Sequence, residues 1–192
     1  MKKLQGGWNK WLPPLGFAGL LLLLFSFPKT GRTSQNPPSP QSTGNLDLSQ
    51  KAKVMLMRKV LQERGIDEDY IDIIVAQSMH ETNGFKSSLS KNNLNFFGMK
   101  QPIKRPVTVA VQPSKNEYLN YFSIEDSTND FVNYSQYVGL YEMLKSPSLF
   151  TNPQQTINAY VTRLKQTHKY FEDSIDNYRN GVTRWYRVLQ QG

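Results

Sequence analysis

One glutamate of the chain, Glu81, has the surroundings that a general acid requires. It ends a run whose apolar residues recur at helical spacing: Tyr70, Ile71, Ile74, Val75 and Met79. Glu81 falls on the apolar side of this predicted helix, directly before Thr82-Asn83-Gly84, a stop signal at the negative end of the helix dipole. Low dielectric and a negative helix end both disfavour a carboxylate. The pattern therefore predicts a raised pKa and a catalytic acid.

Two other interpretations of Glu81 follow from its position and its neighbour. A glutamate in the last turn of a helix is often a solvated surface residue. The His80-Glu81 pair has the residue types of a zinc-protease motif, but that motif needs a second histidine where this chain has Gly84. The chain has no cysteine, which excludes disulfides, thiolate metal sites and thiol nucleophiles. We expect neither a metal nor a cofactor.

The sequence around Glu81 resembles the peptidoglycan N-acetylglucosaminidases of glycoside hydrolase family 73. In that family a helix ends in an Ala-Gln-x-x-x-Glu motif, and a loop containing Asn, Phe-Gly and Lys follows. The matching residues here are Ala76, Gln77, Glu81, Thr82, Asn95, Phe97, Gly98, Met99 and Lys100. The resemblance continues more weakly over roughly residues 50–190. It implies a lysozyme-like α+β domain, predominantly helical, in which a hairpin forms one wall of a glycan groove.

The resemblance also implies catalytic roles. Glu81 would protonate the leaving oxygen, and Tyr170 matches a functional tyrosine, although the Gly and Ala that flank it in the family are missing here. Many relatives carry a glutamate on the first hairpin strand, whereas residues 107–112 contain no acid. Glu117, across the turn, is the nearest one. The second role therefore stays open between Glu117 and the substrate's own N-acetyl oxygen.

The loop after the acid supplies the expected substrate-binding residues. Aromatic rings stack on the apolar faces of sugars, and amide and cationic side chains bind acetamido, hydroxyl and carboxylate groups. The candidates are Asn95, Phe96, Phe97, Gly98 and Lys100. The alternative interpretation is that the rings are buried, that the glycine only permits a turn, and that the lysine is solvated.

The N-terminal part of the chain is predicted to lie outside the folded domain. In residues 1–28, lysines precede an uncharged apolar run from 11 to 27, which is typical of a signal anchor or a cleaved signal peptide. The lack of a small-x-small cleavage pattern favours an anchor with a cytoplasmic N-terminus. Residues 29–45 are rich in Pro and Ser, which predicts a disordered linker. The catalytic domain, 46–192, would then lie in the periplasm or outside the cell, or be secreted after cleavage.

The net charge of the chain and its distribution limit the kinds of macromolecule that the protein is expected to bind. The formal net charge is +8, divided about evenly between the N-terminal segment and the domain, without a clustered basic strip. This distribution does not favour nucleic acid. It suits anionic wall polymer or a membrane surface. The expected partners are peptidoglycan glycan strands and the membrane through the N-terminal segment; a protein of an envelope complex is a further candidate.

Periodicity and turn signals predict about five helices and one β-hairpin. The helices are expected at 46–64, at 67–81, and from about 123, 153 and 171 onward. The hairpin strands are expected at 106–111 and 117–122.

The sequence favours a membrane-tethered peptidoglycan hydrolase, an endo-β-N-acetylglucosaminidase of bacterial cell wall. Two alternatives remain. A muramidase or lytic transglycosylase on the same fold needs only one acid. A catalytically inactive glycan-binding module of an envelope-spanning complex would account for the missing hairpin carboxylate.

Overall fold

A computed structural model describes residues 45–113, 116–168 and 170–191 of the chain. Within these ranges there are seven helices and one two-stranded hairpin. In chain order they are α1 (Leu48–Glu63), α2 (Glu68–Glu81), α3 (Ser88–Asn92), β1 (Val111–Gln112), β2 (Asn120–Tyr121), α4 (Ile124–Tyr137), α5 (Tyr141–Leu144), α6 (Pro153–His168) and α7 (Ile175–Gln190). The domain is thus mostly helical α+β, as predicted, with two more helices than expected.

The predicted membrane segment, 1–28, and nearly all of the predicted linker lie outside the described residues. Among the helices that are described, none has both the length and the apolar composition that a bilayer-spanning helix requires.

Helix α2 forms the centre of the domain. Its residues from Tyr70 to Met79 are buried except for Asp72, so the helix is apolar nearly all round, which is typical of a helix enclosed by others. It packs most extensively against α7 and also contacts α1 and α6. Asp67 caps its first turn by accepting a hydrogen bond from the backbone of Asp69 at 3.0 Å. This central helix carries Glu81 as its last residue.

Several helix boundaries follow the sequence signals. Asp47 and Gln50 form a reciprocal capping box at the start of α1, and Gly65, with φ of +71°, follows its C-cap. Ser123 caps α4 through the backbone N–H of Asp126 at 3.0 Å. Helix α6 begins at Pro153, as predicted.

Two features of the helices were predicted wrongly. The last helix begins at Ile175 rather than near Phe171, because Ser174 caps it and Phe171 lies outside the helix, stacked on Tyr178. Helices α3 and α5 were not predicted. They are five and four residues long, which is too short to show a helical period in sequence.

The hairpin is much shorter than predicted. Strands β1 and β2 pair antiparallel over two residues each, with Val111 opposite Tyr121, and a separate bridge joins Lys100 to Tyr118. The expected strand 106–111 pairs only at its last residue.

Contacts with α4 explain why the strand is short. The Arg105 guanidinium makes two hydrogen bonds to the Asp130 carboxylate, at 2.6 and 2.8 Å. Three residues later, Thr108 accepts a hydrogen bond from the Asn133 side chain at 2.7 Å. Both partners belong to α4. The segment therefore follows α4 instead of pairing with β2, and Pro106 could not donate to a ladder in any case.

Candidate active site

Glu81 lies where the buried helix α2 ends, at the start of a tight turn. Thr82 is buried, and its hydroxyl donates to the carbonyl of Ser78 at 2.5 Å and accepts from the backbone of Phe85 at 3.2 Å. The three residues that follow Thr82 all have positive φ, between 49° and 65°. This conformation turns the chain sharply away from the helix and leaves the Glu81 side chain partly buried.

Burial raises the pKa of Glu81 to about 7, from an ordinary value of 4.5. A hydrogen bond from the Tyr178 hydroxyl to carboxylate oxygen Oε1, at 2.5 Å, opposes this rise, because it stabilises the charged form. The upward shift that the sequence predicted is therefore present. A carboxyl group with a pKa near neutrality is protonated in a large fraction of molecules at neutral pH, as proton donation requires.

The Tyr178 ring is fixed on two sides. Phe171 stacks on its face, with ring centroids 3.8 Å apart and planes at 5°. His80 meets it edge-on, with centroids 4.8 Å apart. A Cβ atom on Gly181, one turn further along α7, would lie 2.2 Å from the His80 ring, so glycine is needed for α2 and α7 to approach this closely. Tyr178 is consequently held in one orientation toward Glu81.

Gly98 lies next to Oε2 of Glu81, the carboxyl oxygen that Tyr178 does not bind. Its φ is +63°, and a Cβ atom placed on it would lie 3.3 Å from Oε2 of Glu81. Glycine therefore satisfies both the backbone conformation and the close approach of the loop to the acid. The prediction that Gly98 lies at the site is consistent with this placement.

The other loop candidates support the loop from inside. Asn95 is fully buried; its amide donates to the carbonyls of Met99 and Leu119 at 2.8 and 3.0 Å, and its oxygen accepts from the Met99 N–H at 3.0 Å. Phe96 and Phe97 are 0% and 1% exposed. The expectation that these three side chains contact sugar is not met by this geometry, because their surfaces are used in the core.

The two phenylalanine rings lie in separate parts of that core. Phe96 meets Phe85 edge-on, and Phe97 stacks on Phe131 of α4 with centroids 4.4 Å apart. The loop is therefore anchored both to the turn after Glu81 and to α4, and this anchoring holds Gly98 against the acid.

Tyr170 lies beside the same loop. Its hydroxyl donates to the backbone carbonyl of Phe97, and burial together with the nearby charge of Glu81 raises its pKa well above the ordinary value. The phenol thus stays protonated at physiological pH. It can position the loop and present an oxygen lone pair, but it is not a nucleophile in this state.

A buried polar cluster extends behind Tyr170. The Tyr160 hydroxyl of α6 donates to Oε1 of Gln77, and both residues are fully buried. Gln77 also interacts with the Tyr170 hydroxyl and lowers the pKa of that tyrosine, an effect smaller than the rise caused by burial. Gln77 lies one helical turn before Glu81, so this cluster connects α6 to the face of α2 that carries the acid.

Glu117 and Lys100 pair with each other instead of converging on Glu81. Their charged atoms are 3.1 Å apart, and both side chains are more than half exposed. Burial and the Tyr178 hydrogen bond account for the pKa shift of Glu81, and no neighbouring carboxylate contributes to it. Glu117 is therefore not placed as a second catalytic carboxylate.

Sequence reasoning missed Tyr178 and Tyr160 as site residues. In the sequence, Tyr160 recurs at helical spacing with Ile157 and Leu164, and Tyr178 does so with Ile175 and Val182, which predicts core positions for both. Their signal was the hydroxyl group: a tyrosine at a core position needs a polar partner, and in this domain the partners are the carboxyl of Glu81 and the amide of Gln77.

A cavity of about 600 Å³ is lined in part by Gly98, the residue that faces the Glu81 carboxyl group. The segment 98–105 forms one wall, and Tyr134, Tyr137, Val138 and Tyr170 form the other. No cluster of metal-ligating side chains exists within the described parts of the chain. The arrangement therefore places a carboxyl group with a raised pKa next to the glycine that lines this cavity.

A partly buried carboxyl group with a raised pKa, close to a cleft, is what the general acid of a glycoside hydrolase requires. The chain belongs to the glucosaminidase family: the model of that family, described as mannosyl-glycoprotein endo-beta-N-acetylglucosaminidase, matches residues 56–192. This match confirms the family predicted from the residues around Glu81. No curated protein and no solved structure matched the chain.

Proposed function

We propose that this chain is a peptidoglycan hydrolase that cleaves the β-1,4 bond on the N-acetylglucosamine side, with Glu81 as the general acid. The observation that carries the proposal is the Glu81 carboxyl group itself. It has a pKa of about 7, a tyrosine hydroxyl fixes one oxygen, and a glycine leaves room at the other. Protonation of the leaving oxygen is the step that this environment favours.

The second catalytic role is assigned to the substrate. Among the described residues, no other carboxylate contributes to the pKa shift of Glu81, and Glu117 is exposed and paired with Lys100. In the proposed reaction the acetamido oxygen of N-acetylglucosamine attacks its own anomeric carbon while the leaving oxygen takes the proton from Glu81. Water then attacks the cyclic intermediate and gives its proton to the Glu81 carboxylate.

Tyr170 and Tyr178 are assigned supporting roles. Tyr178 orients the carboxyl of Glu81, and Tyr170 holds the Phe97 carbonyl, and through it Gly98, beside the acid. Neither hydroxyl is lost to ionisation, since burial raises the pKa of both tyrosines well above the ordinary value.

Membrane tethering is part of the same proposal. The apolar run from 11 to 27 and the polar segment 29–45 would hold the domain near the outer face of the cytoplasmic membrane. Fractionation of cells that express the full chain tests this proposal: recovery of the intact protein with membranes supports an anchor, and a shortened soluble form supports cleavage.

The activity is tested by incubating the full-length protein in detergent with purified peptidoglycan and analysing the products by mass spectrometry. We expect new reducing ends on N-acetylglucosamine from the wild type and a loss of about 10²–10⁴-fold for Glu81→Gln, the range that general-acid catalysis supplies. Glu68→Gln, at an exposed acid in the first turn of α2, is the matched control and should keep full activity.

Other products identify the rival functions. New ends on muramic acid, with or without an anhydro ring, would assign a muramidase or a lytic transglycosylase instead. Binding to peptidoglycan without any product would assign a glycan-binding module. Glu117→Gln separates the two mechanisms, because substrate assistance predicts retained activity and a carboxylate base predicts its loss.

A further inference from the structure

The cavity beside Glu81 combines positive charge with exposed apolar side chains. Its wall segment, 98–105, contributes three cationic residues, and no acidic residue lines the cavity. We call this cavity the basic cavity. Because Gly98, which faces the Glu81 carboxyl group, is one of its lining residues, an occupant of the cavity lies close to the bond that Glu81 is proposed to cleave.

The three cations of the basic cavity are not equivalent. Arg105 is 8% exposed, and its charge is neutralised by the bidentate bond to Asp130. Lys100 pairs with Glu117 at 3.1 Å. Lys104 is exposed and has no ion-pair partner among the described residues. The available positive charge of the cavity is therefore concentrated at Lys104.

Apolar surface lies next to this charge. Ile103 is 99% exposed and Tyr137 is 52% exposed, although both line the cavity. Large apolar side chains left in water at the rim of a cleft are typical of a binding surface rather than of a packing position. A fitting ligand has an apolar or sugar face and a nearby anionic group.

Building on the proposed function, we infer that the basic cavity binds the peptide-bearing sugar of the strand, with a peptide carboxylate on Lys104 and the adjoining apolar groups on Ile103 and Tyr137. Peptidoglycan carries its carboxylates on the peptides attached to its sugars, so a strand bound for cleavage at Glu81 presents both groups together. The protein would then prefer peptide-substituted strands to strands from which the peptides have been removed.

The inference is tested by binding rather than by turnover. The full-length Glu81→Gln protein is titrated with soluble glycan strands that either carry their peptides or have been stripped of them by an amidase. The lactyl carboxylates that the amidase frees on the stripped strands are converted to methylamides, so that these strands carry no anionic group. We expect about tenfold tighter binding of the peptide-bearing strands, which corresponds to one charge-assisted contact. Adding Lys104→Gln should remove most of this difference by weakening only the peptide-bearing complex. Lys59→Gln, at an exposed lysine of α1, is the control and should change neither affinity.

Three results would overturn the inference. These are equal affinity for the two kinds of strand, an equal loss on both in the Lys104→Gln protein, and displacement of the peptide-bearing strands by an unrelated anionic wall polymer at equal concentration. Each of them leaves the product analysis untouched. A failure of the inference is therefore distinguishable from a failure of the proposed activity.

Discussion

The Tyr178 hydroxyl donates a 2.5 Å hydrogen bond to Glu81, 97 positions earlier in the sequence. The bond joins the C-terminal end of helix α2 to the first turn of α7. The bond stabilises the ionised carboxylate, while burial destabilises it by a larger amount. The balance leaves the pKa of Glu81 near 7. The acid strength of the site is thus set jointly by two helices that are far apart in the chain.

Replacing Tyr178 by phenylalanine should raise the pKa of Glu81 further. The variant loses the hydroxyl but keeps the ring between Phe171 and His80, so the fold is retained. We expect the alkaline limb of the kcat/KM profile, near pH 7 in the wild type, to move upward by about one pH unit. Rates measured from pH 5 to 9 check this shift, with Tyr186→Phe on the same helix as the control. An unmoved or lowered limb would contradict the assignment.

Glu81→Gln should stabilise the protein at alkaline pH. The folded pKa of Glu81 lies above its ordinary value, so its stabilising contribution is complete below about pH 4.5 and is lost as pH rises through about 7. The loss amounts to at most about 3.4 kcal/mol, since the pKa rises from 4.5 to about 7 and each pKa unit corresponds to about 1.36 kcal/mol. Urea unfolding should therefore show the variant to be more stable than the wild type at pH 8, with a smaller difference at pH 5. If the difference in unfolding free energy between variant and wild type were the same at pH 5 and pH 8, the ionisation of Glu81 would not be linked to stability.

Gly98→Ala should reduce activity more than its cost in stability explains. Gly98 and Gly139 both have positive φ, so alanine at either position costs about 1 kcal/mol in backbone strain. A Cβ on Gly98 would lie 3.3 Å from the Glu81 carboxylate, whereas a Cβ on Gly139 meets nothing within 4 Å. We expect about a tenfold loss of kcat for Gly98→Ala and none for Gly139→Ala. If the two variants were equally destabilised and equally active, the close contact between Gly98 and the Glu81 carboxylate would not matter for activity.

Asp130→Asn should destabilise the domain strongly. The Asp130 side chain is fully buried and also accepts a hydrogen bond from the Tyr121 hydroxyl at 2.7 Å. Removing its charge leaves Arg105 buried and unpaired, at a cost of about 3–5 kcal/mol in the free energy of unfolding.

The more exposed pair of Arg58 and Asp72 provides the comparison for Asp130. Asp72→Asn should cost less than about 1 kcal/mol in urea unfolding. The double replacement Arg105→Met/Asp130→Leu should recover much of the loss, because it leaves no unpaired charge. If the double variant were as unstable as Asp130→Asn, the ion pair itself would not be the cause.

The helix that carries the acid could be predicted because its signals are local. The N-cap at Asp67, the apolar period and the turn at Gly84 all lie within 18 residues of each other. The raised pKa of Glu81 followed from the same local pattern, because the apolar side of a helix becomes a core. These features needed no knowledge of distant parts of the chain.

The remaining features depend on contacts between distant segments. The strand expected from 106 has strong β propensity, but the bond of Arg105 to α4 fixes its path instead. The rings of Phe96 and Phe97 suit a sugar platform as well as a core, and only the packing of Phe85 and Phe131 against them shows that they are core. In the same way, the spacing of Tyr178 predicts which face of its helix it lies on, but it does not predict that its hydroxyl binds Glu81.

The contribution of α7 to the acid has a consequence for biosynthesis. Helix α7 follows every other described element along the chain, and it supplies both Tyr178 and the glycine that admits His80. During synthesis or export, Glu81 is therefore present long before its environment is complete. Until α7 docks, the Glu81 carboxyl group lacks the hydrogen bond from the Tyr178 hydroxyl. A nascent chain without α7 thus carries the acid without the group that orients it.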